Sequence, residues 1–189
     1  MLRSSTDPRW LPQALASFDR VLVDHAHCEK KAASSAISLL AAFPGHSLLV
    51  QRMARLAQEE IGHFRQVYDR LLARGGCLGR DPGDPYARGL RALVRHSQEE
   101  TRLTDLLLVS ALIEARSHER LDLLARGLAD RELADFYAGL ARAESGHARL
   151  FVDLAKEYAD PAAVDARLAE LAAAEADLLA RLPIAPRIH

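Results

Sequence analysis

Two copies of one short pattern constrain this chain more than anything else in it: Glu60-Ile61-Gly62-His63 and Glu144-Ser145-Gly146-His147. Residues three apart on an α-helix share a face, so each Glu and its His can reach a common point. A lone glutamate precedes each pair, with Glu29 lying 31 residues ahead of Glu60 and Glu114 lying 30 residues ahead of Glu144. Glu29, Glu60, His63, Glu114, Glu144 and His147 together form the ligand set of a carboxylate-bridged dinuclear metal site inside a four-helix bundle.

The surroundings of these residues separate that reading from chance. A single Glu-x-x-His on a helix is common and usually lies on a solvated face. Here all six residues fall in apolar seams with helical spacing. The seams are Leu22, Ala26, Glu29, Ala33, Ala36, Leu40; Met53, Leu56, Glu60, His63, Val67; Leu103, Leu107, Ser110, Glu114, Ser117, Leu121; and Tyr137, Leu140, Glu144, His147, Phe151, Leu154. Burying four carboxylates without partners is prohibitive, since each isolated charge forfeits several kcal/mol of hydration. No Lys or Arg occupies these seams. Two divalent cations would neutralise the four charges, and neutral imidazoles add ligands without adding charge. Mixed carboxylate and imidazole ligation without thiolate suits iron or manganese, with iron expected. Glu29 and His63 are expected as terminal ligands of one metal, Glu114 and His147 of the other, with Glu60 and Glu144 bridging.

Breakers and caps order the helices around these seams. A Pro-interrupted lead-in covers residues 1–16, with a short helical turn near Trp10. Helices are expected over Phe18–Ala42, stopped by Phe43-Pro44-Gly45, and over Ser47–Arg74, stopped by Gly75-Gly76. The irregular stretch from Gly75 to His96 has room for a short helix over Tyr86–Val94. A capping box at Ser97-Gln98-Glu99-Glu100 opens a third long helix to about Arg126. Asp130 caps a fourth, to Tyr158, and Asp160-Pro161 starts a fifth, to Leu182. Two antiparallel helical hairpins joined by a long crossover, plus a C-terminal fifth helix, describe an all-α, ferritin-like four-helix bundle. At 189 residues a single domain spanning 1–189 is expected.

Composition closes off other classes. Aromatics are 5% of the residues, which favours helix over sheet, and no apolar run reaches the roughly 20 residues that span a bilayer. The polar, Pro-containing N-terminus is not a signal peptide. Cys28 and Cys77 form no Cys-x-x-Cys pair, so a reducing cytoplasm is the expected setting. Cys28 points about 100° around the helix from Glu29, Glu59 faces outward, and His25, His27, His46, His96, His118 and His189 are expected mostly at the surface. The sequence shows no Ser/His/Asp order, Walker loop or dinucleotide fingerprint.

At these residues the chain resembles a known family. The runs Asp24-His25-Ala26-His27-Cys28-Glu29-Lys30-Lys31-Ala32-Ala33 and Glu59-Glu60-Ile61-Gly62-His63-Phe64 are similar to the tRNA hydroxylase acting on 2-methylthio-isopentenyl-adenosine. So are Ile113-Glu114-Ala115-Arg116-Ser117, Glu119-Arg120, Phe136-Tyr137, Glu144 with His147, and Arg74-Gly75-Gly76. The resemblance covers residues 10–160 or so. It implies a non-haem di-iron monooxygenase, two Fe ions, O2 as co-substrate, electrons from an external reductase or ferredoxin, and tRNA hydroxylated on an isopentenyl group beside the anticodon.

The residues themselves speak more weakly for tRNA. Arg74 to Arg95 holds five arginines and two aspartates, net +3, against −1 for the whole chain. Such a basic crossover can hold phosphates, and a solvated loop would look the same. Arg88 and Arg91 in this stretch, with Arg116 and Arg120 at the expected pocket mouth, are the candidate tRNA contacts. Two other readings compete. A ferritin-like protein that handles iron or scavenges peroxide would use the same ligands. A metal-free helical bundle serving as an interaction module would leave four seam glutamates unexplained.

Overall fold

A computed structural model describes all 189 residues, every regular element of which is a helix. The elements are α1 (Trp10–Ala16), α2 (Phe18–Ala42), α3 (Ser47–Ala73), α4 (Pro85–Arg91), α5 (Glu99–Gly127), α6 (Arg131–Tyr158) and α7 (Pro161–Arg181). Their contacts group the chain into two compact units, one comprising Gln13–Pro82 with Pro186–Ile188 and the other Met1–Pro12, Gly83–Ala185 and His189.

In the unit containing Gln13–Pro82, α2 and α3 pack as a hairpin. Pro44 and Gly45 form the turn after Phe43, whose N–H still bonds back to the Leu39 carbonyl. At the far end of α3, Gly75 takes a left-handed φ of +77°, and Gly76 donates to the Leu71 carbonyl at 2.9 Å. This is the glycine-terminated helix end that the Gly75-Gly76 pair leads one to expect. The apolar seam residues Leu22, Ala26, Ala33, Ala36, Met53, Leu56 and Val67 are buried, whereas Leu40 is only half-buried and its neighbour Leu39 takes the core position.

In the other unit, α5 and α6 form a second hairpin, and α7 packs on α4, α5 and α6. Three helices start on aspartate caps: Asp84 accepts from Ala87 N, Asp130 from Leu133 N and Asp160 from Ala163 N. The expected capping box at Ser97 does not form. The N-cap of α5 is Gln98, without a side-chain cap bond, and Thr101 Oγ1 donates to the Gln98 carbonyl instead. Glu99 and Glu100 still place negative charge in the first turn, where the helix dipole favours it. A Cβ on Gly89 would stand 2.7 Å from Leu178 Cδ2, so α4 and α7 approach closely enough there that an added methyl would push the Leu178 side chain aside.

Two buried carboxylates anchor the connections of this unit. Asp105 on α5 receives the backbone N–H, Nε and Nη2 of Arg95 and the Nε and Nη2 of Arg167, all at 2.8–3.0 Å. Burial pushes the Asp105 carboxyl up, but the arginine hydrogen bonds outweigh it and hold it at about 2. Glu175 on α7 accepts from Tyr86 Oη at 2.8 Å and from Arg116 Nε and Nη2 at 3.0 and 2.8 Å. Arg116 also reaches the Ser4 carbonyl at 2.9 Å and pairs with Glu119, whose carboxylate takes the Thr6 N–H and hydroxyl. Burial works against the Arg116 charge, yet Glu175 more than compensates and keeps it ionised.

Asp105→Asn is expected to cost about 2 kcal/mol or more at neutral pH, from the gap between 3.8 and about 2. A carboxyl depressed in the folded state stabilises above its unfolded value. The difference between parent and variant in urea denaturation should therefore shrink as pH falls from about 4 toward 2. Arg116→Met strands Glu175 without its guanidinium and should cost about 3–5 kcal/mol in the same measurement, part of which Glu175→Leu restores.

Candidate metal centre

Each hairpin gathers one of the two sequence triads. In the first, Glu29 projects from α2 and Glu60 and His63 from α3, with ligand atoms all within 4.8 Å of one another. His63 Nδ1 stands 3.8 Å from Glu29 Oε2 and 3.5 Å from Glu60 Oε2. Both glutamates are buried, Glu60 completely. In the second hairpin, Glu114 comes from α5 and Glu144 and His147 from α6, again within 4.8 Å and all buried. His147 Nδ1 lies 3.3 Å from Glu144 Oε2. The helix period therefore delivers in each hairpin two carboxylates and one imidazole to one place. Such a donor set, oxygen and imidazole nitrogen without thiolate, fits Fe or Mn, so each triad passes the chemical test for holding a metal of that kind.

Sequence reasoning missed the partner of Glu29. His25, expected at the surface, is buried, and its Nε2 is 2.6 Å from Glu29 Oε1. A histidine four residues ahead of a seam glutamate was the available signal, because i and i+4 are neighbours on a helix. An imidazole placed against a carboxylate in this way orients it and tunes its basicity. His27 is also buried rather than exposed. Its Nδ1 accepts from Lys30 Nζ at 2.9 Å, and burial, with Lys30 and Lys31 adding to it, holds the ring below its usual value. His118 is half-buried, with Nδ1 donating to the Ala141 carbonyl at 2.7 Å, while His96 is exposed as expected. Neither Cys28 nor Cys77 is in a disulfide. Glu59 faces outward, and Tyr137 is fully buried with its ring edge-on to Phe136.

The candidate tRNA contacts divide. Arg88 and Arg91 are exposed on α4. Arg116 and Arg120 are buried, which corrects the expectation that they reach a pocket mouth. Arg116 is consumed by Glu175, Glu119 and Ser4, and Arg120 lies over the Trp10 ring with Cζ 5.1 Å from its centroid. Their role is to hold residues 4–10 of the lead-in against α5. Ser117, a member of the α5 seam, makes a 2.7 Å contact with His189 Nε2, and His189 Nδ1 is 3.1 Å from Asp84 Oδ2. Asp84, Ser117 and His189 lie far apart in the sequence, with no motif to announce their meeting.

Comparison with known proteins places the chain. The protein from Pseudomonas putida named tRNA 2-(methylsulfanyl)-N(6)-isopentenyladenosine(37) hydroxylase is 44% identical over 175 residues, covering 92% of this chain and 84% of that protein. The protein of the same name from Salmonella typhimurium is 37% identical over 131 residues, covering 69% and 47% respectively. Among solved structures, "Protein 43 with aldehyde deformylating oxygenase activity from Synechococcus" superposes with a TM-score of 0.94 at 37% identity, covering all of this chain and 94% of that one. The fold is thus that of a ferritin-like helical oxygenase, as the order of hairpin, connection and hairpin implies. The family described as tRNA-(MS[2]IO[6]A)-hydroxylase (MiaE) matches over residues 1–189, and the chain belongs to that family.

Proposed function

We propose that this chain is an O2-dependent hydroxylase of tRNA, acting on the isopentenyl group of 2-methylthio-N6-isopentenyl-adenosine beside the anticodon. Two iron ions would be held by Glu29, Glu60 and His63 and by Glu114, Glu144 and His147. The observation that carries this reading is the pair of two-carboxylate, one-imidazole triads, buried except for half-buried His63, in a chain whose 44% identical relative bears the hydroxylase name. Bound iron supplies the redox chemistry that lets O2 attack an unactivated C–H bond. The protein's share is to bind, orient and exclude water. Glu29 is held in place by His25, and the apolar seams around both triads keep bulk water from the oxidant.

The overall reaction is R–H + O2 + 2 e⁻ + 2 H⁺ → R–OH + H2O, with electrons from an external reductase or ferredoxin. An aldehyde substrate, of the kind named for the solved neighbour, and an iron-handling role have less support, because the whole-length family match is to tRNA hydroxylases. tRNA phosphates would meet the exposed Arg88 and Arg91. The charges of Arg74 and Arg95 are already engaged by Asp19 and Asp105. The setting for such a reaction is the cytoplasm, and no helix is long and apolar enough to cross a membrane.

Mass spectrometry of tRNA nucleosides from a strain lacking this protein should show the unhydroxylated nucleoside accumulating in place of the hydroxylated one. Unchanged hydroxylation there would refute the reading. Metal analysis should find about two irons per chain, while Glu29→Ala and Glu114→Ala lose iron and activity with helical circular dichroism intact. Arg88→Glu with Arg91→Glu should weaken tRNA binding and lower the slope of log affinity against log salt by about two, measured by titration at several salt concentrations.

A further inference from the structure

Lys30 and Lys31 stand side by side on α2, in a chain whose only other lysine is Lys156. At about 100° per residue, the helix carries them roughly 100° and 200° around from Glu29, so neither charge serves the metal seam. They share a face instead with His27, three and four residues back. On that face three nitrogens surround one oxygen. Asp81 Oδ2 lies 3.7 Å from Lys30 Nζ, 3.9 Å from Lys31 Nζ and 3.8 Å from His27 Nδ1. All four residues belong to the unit that contains Gln13–Pro82. His27 is buried, and its Nδ1 takes a 2.9 Å hydrogen bond from Lys30 Nζ, which fixes that ammonium at the end of an otherwise flexible stem.

Two features mark this as a place for an exchangeable anion. Two ammonium groups face one carboxylate, so the cluster keeps a positive charge with Asp81 in place, and Arg80 adds another at the surface next to it. None of the three distances to Asp81 Oδ2 is a hydrogen bond. The pairs are held by charge alone and are partly open to water, the side chains of Lys30, Lys31 and Asp81 being 43%, 27% and 25% exposed. Ion pairs of that kind contribute little to stability, so they hold the carboxylate weakly. A phosphodiester carries the same single charge on two free oxygens, enough to give each ammonium a charge-assisted hydrogen bond.

We propose that Lys30 and Lys31, braced by His27, form a phosphate site for the tRNA backbone, which the Asp81 carboxylate fills when no tRNA is bound. The choice of tRNA as the source of that phosphate rests on the hydroxylase reading. Along α2 the site lies within one helical turn of Glu29, and around the helix it lies roughly one helix width, about 10 Å, from the seam. About three nucleotides of a strand, at about 3.4 Å each, span that separation. A phosphate held here therefore positions the strand while a base from the same loop reaches the metal side. Binding exchanges one anion for another: Asp81 swings out to solvent, and no covalent bond is made or broken.

Binding measurements on the full chain test this. Methylating the lysines with ¹³C keeps their charge and gives each its own NMR signal, assigned with Lys30→Arg, Lys31→Arg and Lys156→Arg. Added tRNA should move the signals of Lys30 and Lys31 and leave Lys156 in place; an unmoved pair would overturn the site. Inorganic phosphate at the same phosphate concentration should leave the pair unmoved, and an equal shift would assign the site to free phosphate and overturn the tRNA backbone as its ligand. In tRNA titrations at several salt concentrations, Lys30→Gln with Lys31→Gln should weaken binding about tenfold at low salt. The slope of log affinity against log salt should fall by about one, the value for one phosphate. Asp81→Asn should tighten binding about threefold in the parent and leave it unchanged in the Lys30→Gln, Lys31→Gln background. Equal tightening in both backgrounds would make Asp81 a general repulsive charge, and weaker binding after Asp81→Asn would make it a plain anchor of its loop; either overturns the exchange. Lysine signals unmoved by tRNA in a chain that hydroxylates it would overturn the site alone. Signals that move in a chain yielding no hydroxylated nucleoside would overturn the reaction and leave the site.

Discussion

Everything in this molecule accommodates carboxylates in helix seams where aliphatic side chains would pack more cheaply. Each hairpin buries two, and each buried carboxylate loses hydration that must be made good locally. A charge in a seam cannot relax by moving to solvent without unpacking its helix. The long helices, 25 to 29 residues each, therefore act as rigid mounts as much as scaffolding. The apolar residues one turn away on either side hold each donor in a fixed direction, and that fixity is what a polynuclear metal site asks of its first ligands.

The protein neutralises its buried carboxylates in two chemically different ways. Asp105 and Glu175 are clamped by guanidinium groups, Arg95 and Arg167 for one and Arg116 for the other. A guanidinium is permanently charged and spends the carboxylate's lone pairs on itself. Glu29, Glu60 and Glu144 are instead met by imidazoles: His25, His63 and His147. A neutral imidazole leaves the carboxylate its charge and offers a nitrogen of its own. Arginine-clamped carboxylates hold the fold together, and imidazole-faced ones are the donors that a cation would meet. The distinction sets two kinds of buried acid apart by what stands against them.

That distinction also explains what could be read from the sequence. The seams, the helix ends at Pro44-Gly45 and Gly75-Gly76, and both triads follow from periods of three and four and from residues that break helices. Seam logic fails where a helix is buried over most of its circumference. On α2 the five consecutive residues from His25 to Glu29 are all buried, so polar His25 and His27, assigned outward by periodicity, turn out to be inside. It fails again for Arg116 and Arg120, whose partners lie more than fifty residues away in Ser4, Thr6 and Glu175. Long-range pairing of a polar side chain leaves no periodic trace, and a buried arginine reads in sequence like an exposed one.

The two halves repeat their ligands but not what stands behind them, and the difference has chemical consequences. Four residues ahead of the first glutamate of each triad, the first half has His25 and the second has Ser110. His25 bonds Glu29, whereas Ser110 turns its hydroxyl back to the Leu106 carbonyl and gives Glu114 no such support. Three residues after the same glutamates, the first half has Ala32 and the second has Ser117. Alanine offers no hydrogen bond, and Ser117 Oγ meets His189 Nε2 at 2.7 Å. The repeated hairpin thus has one half whose first carboxylate meets an imidazole four residues back and another whose first carboxylate is followed, three residues on, by a serine that meets His189.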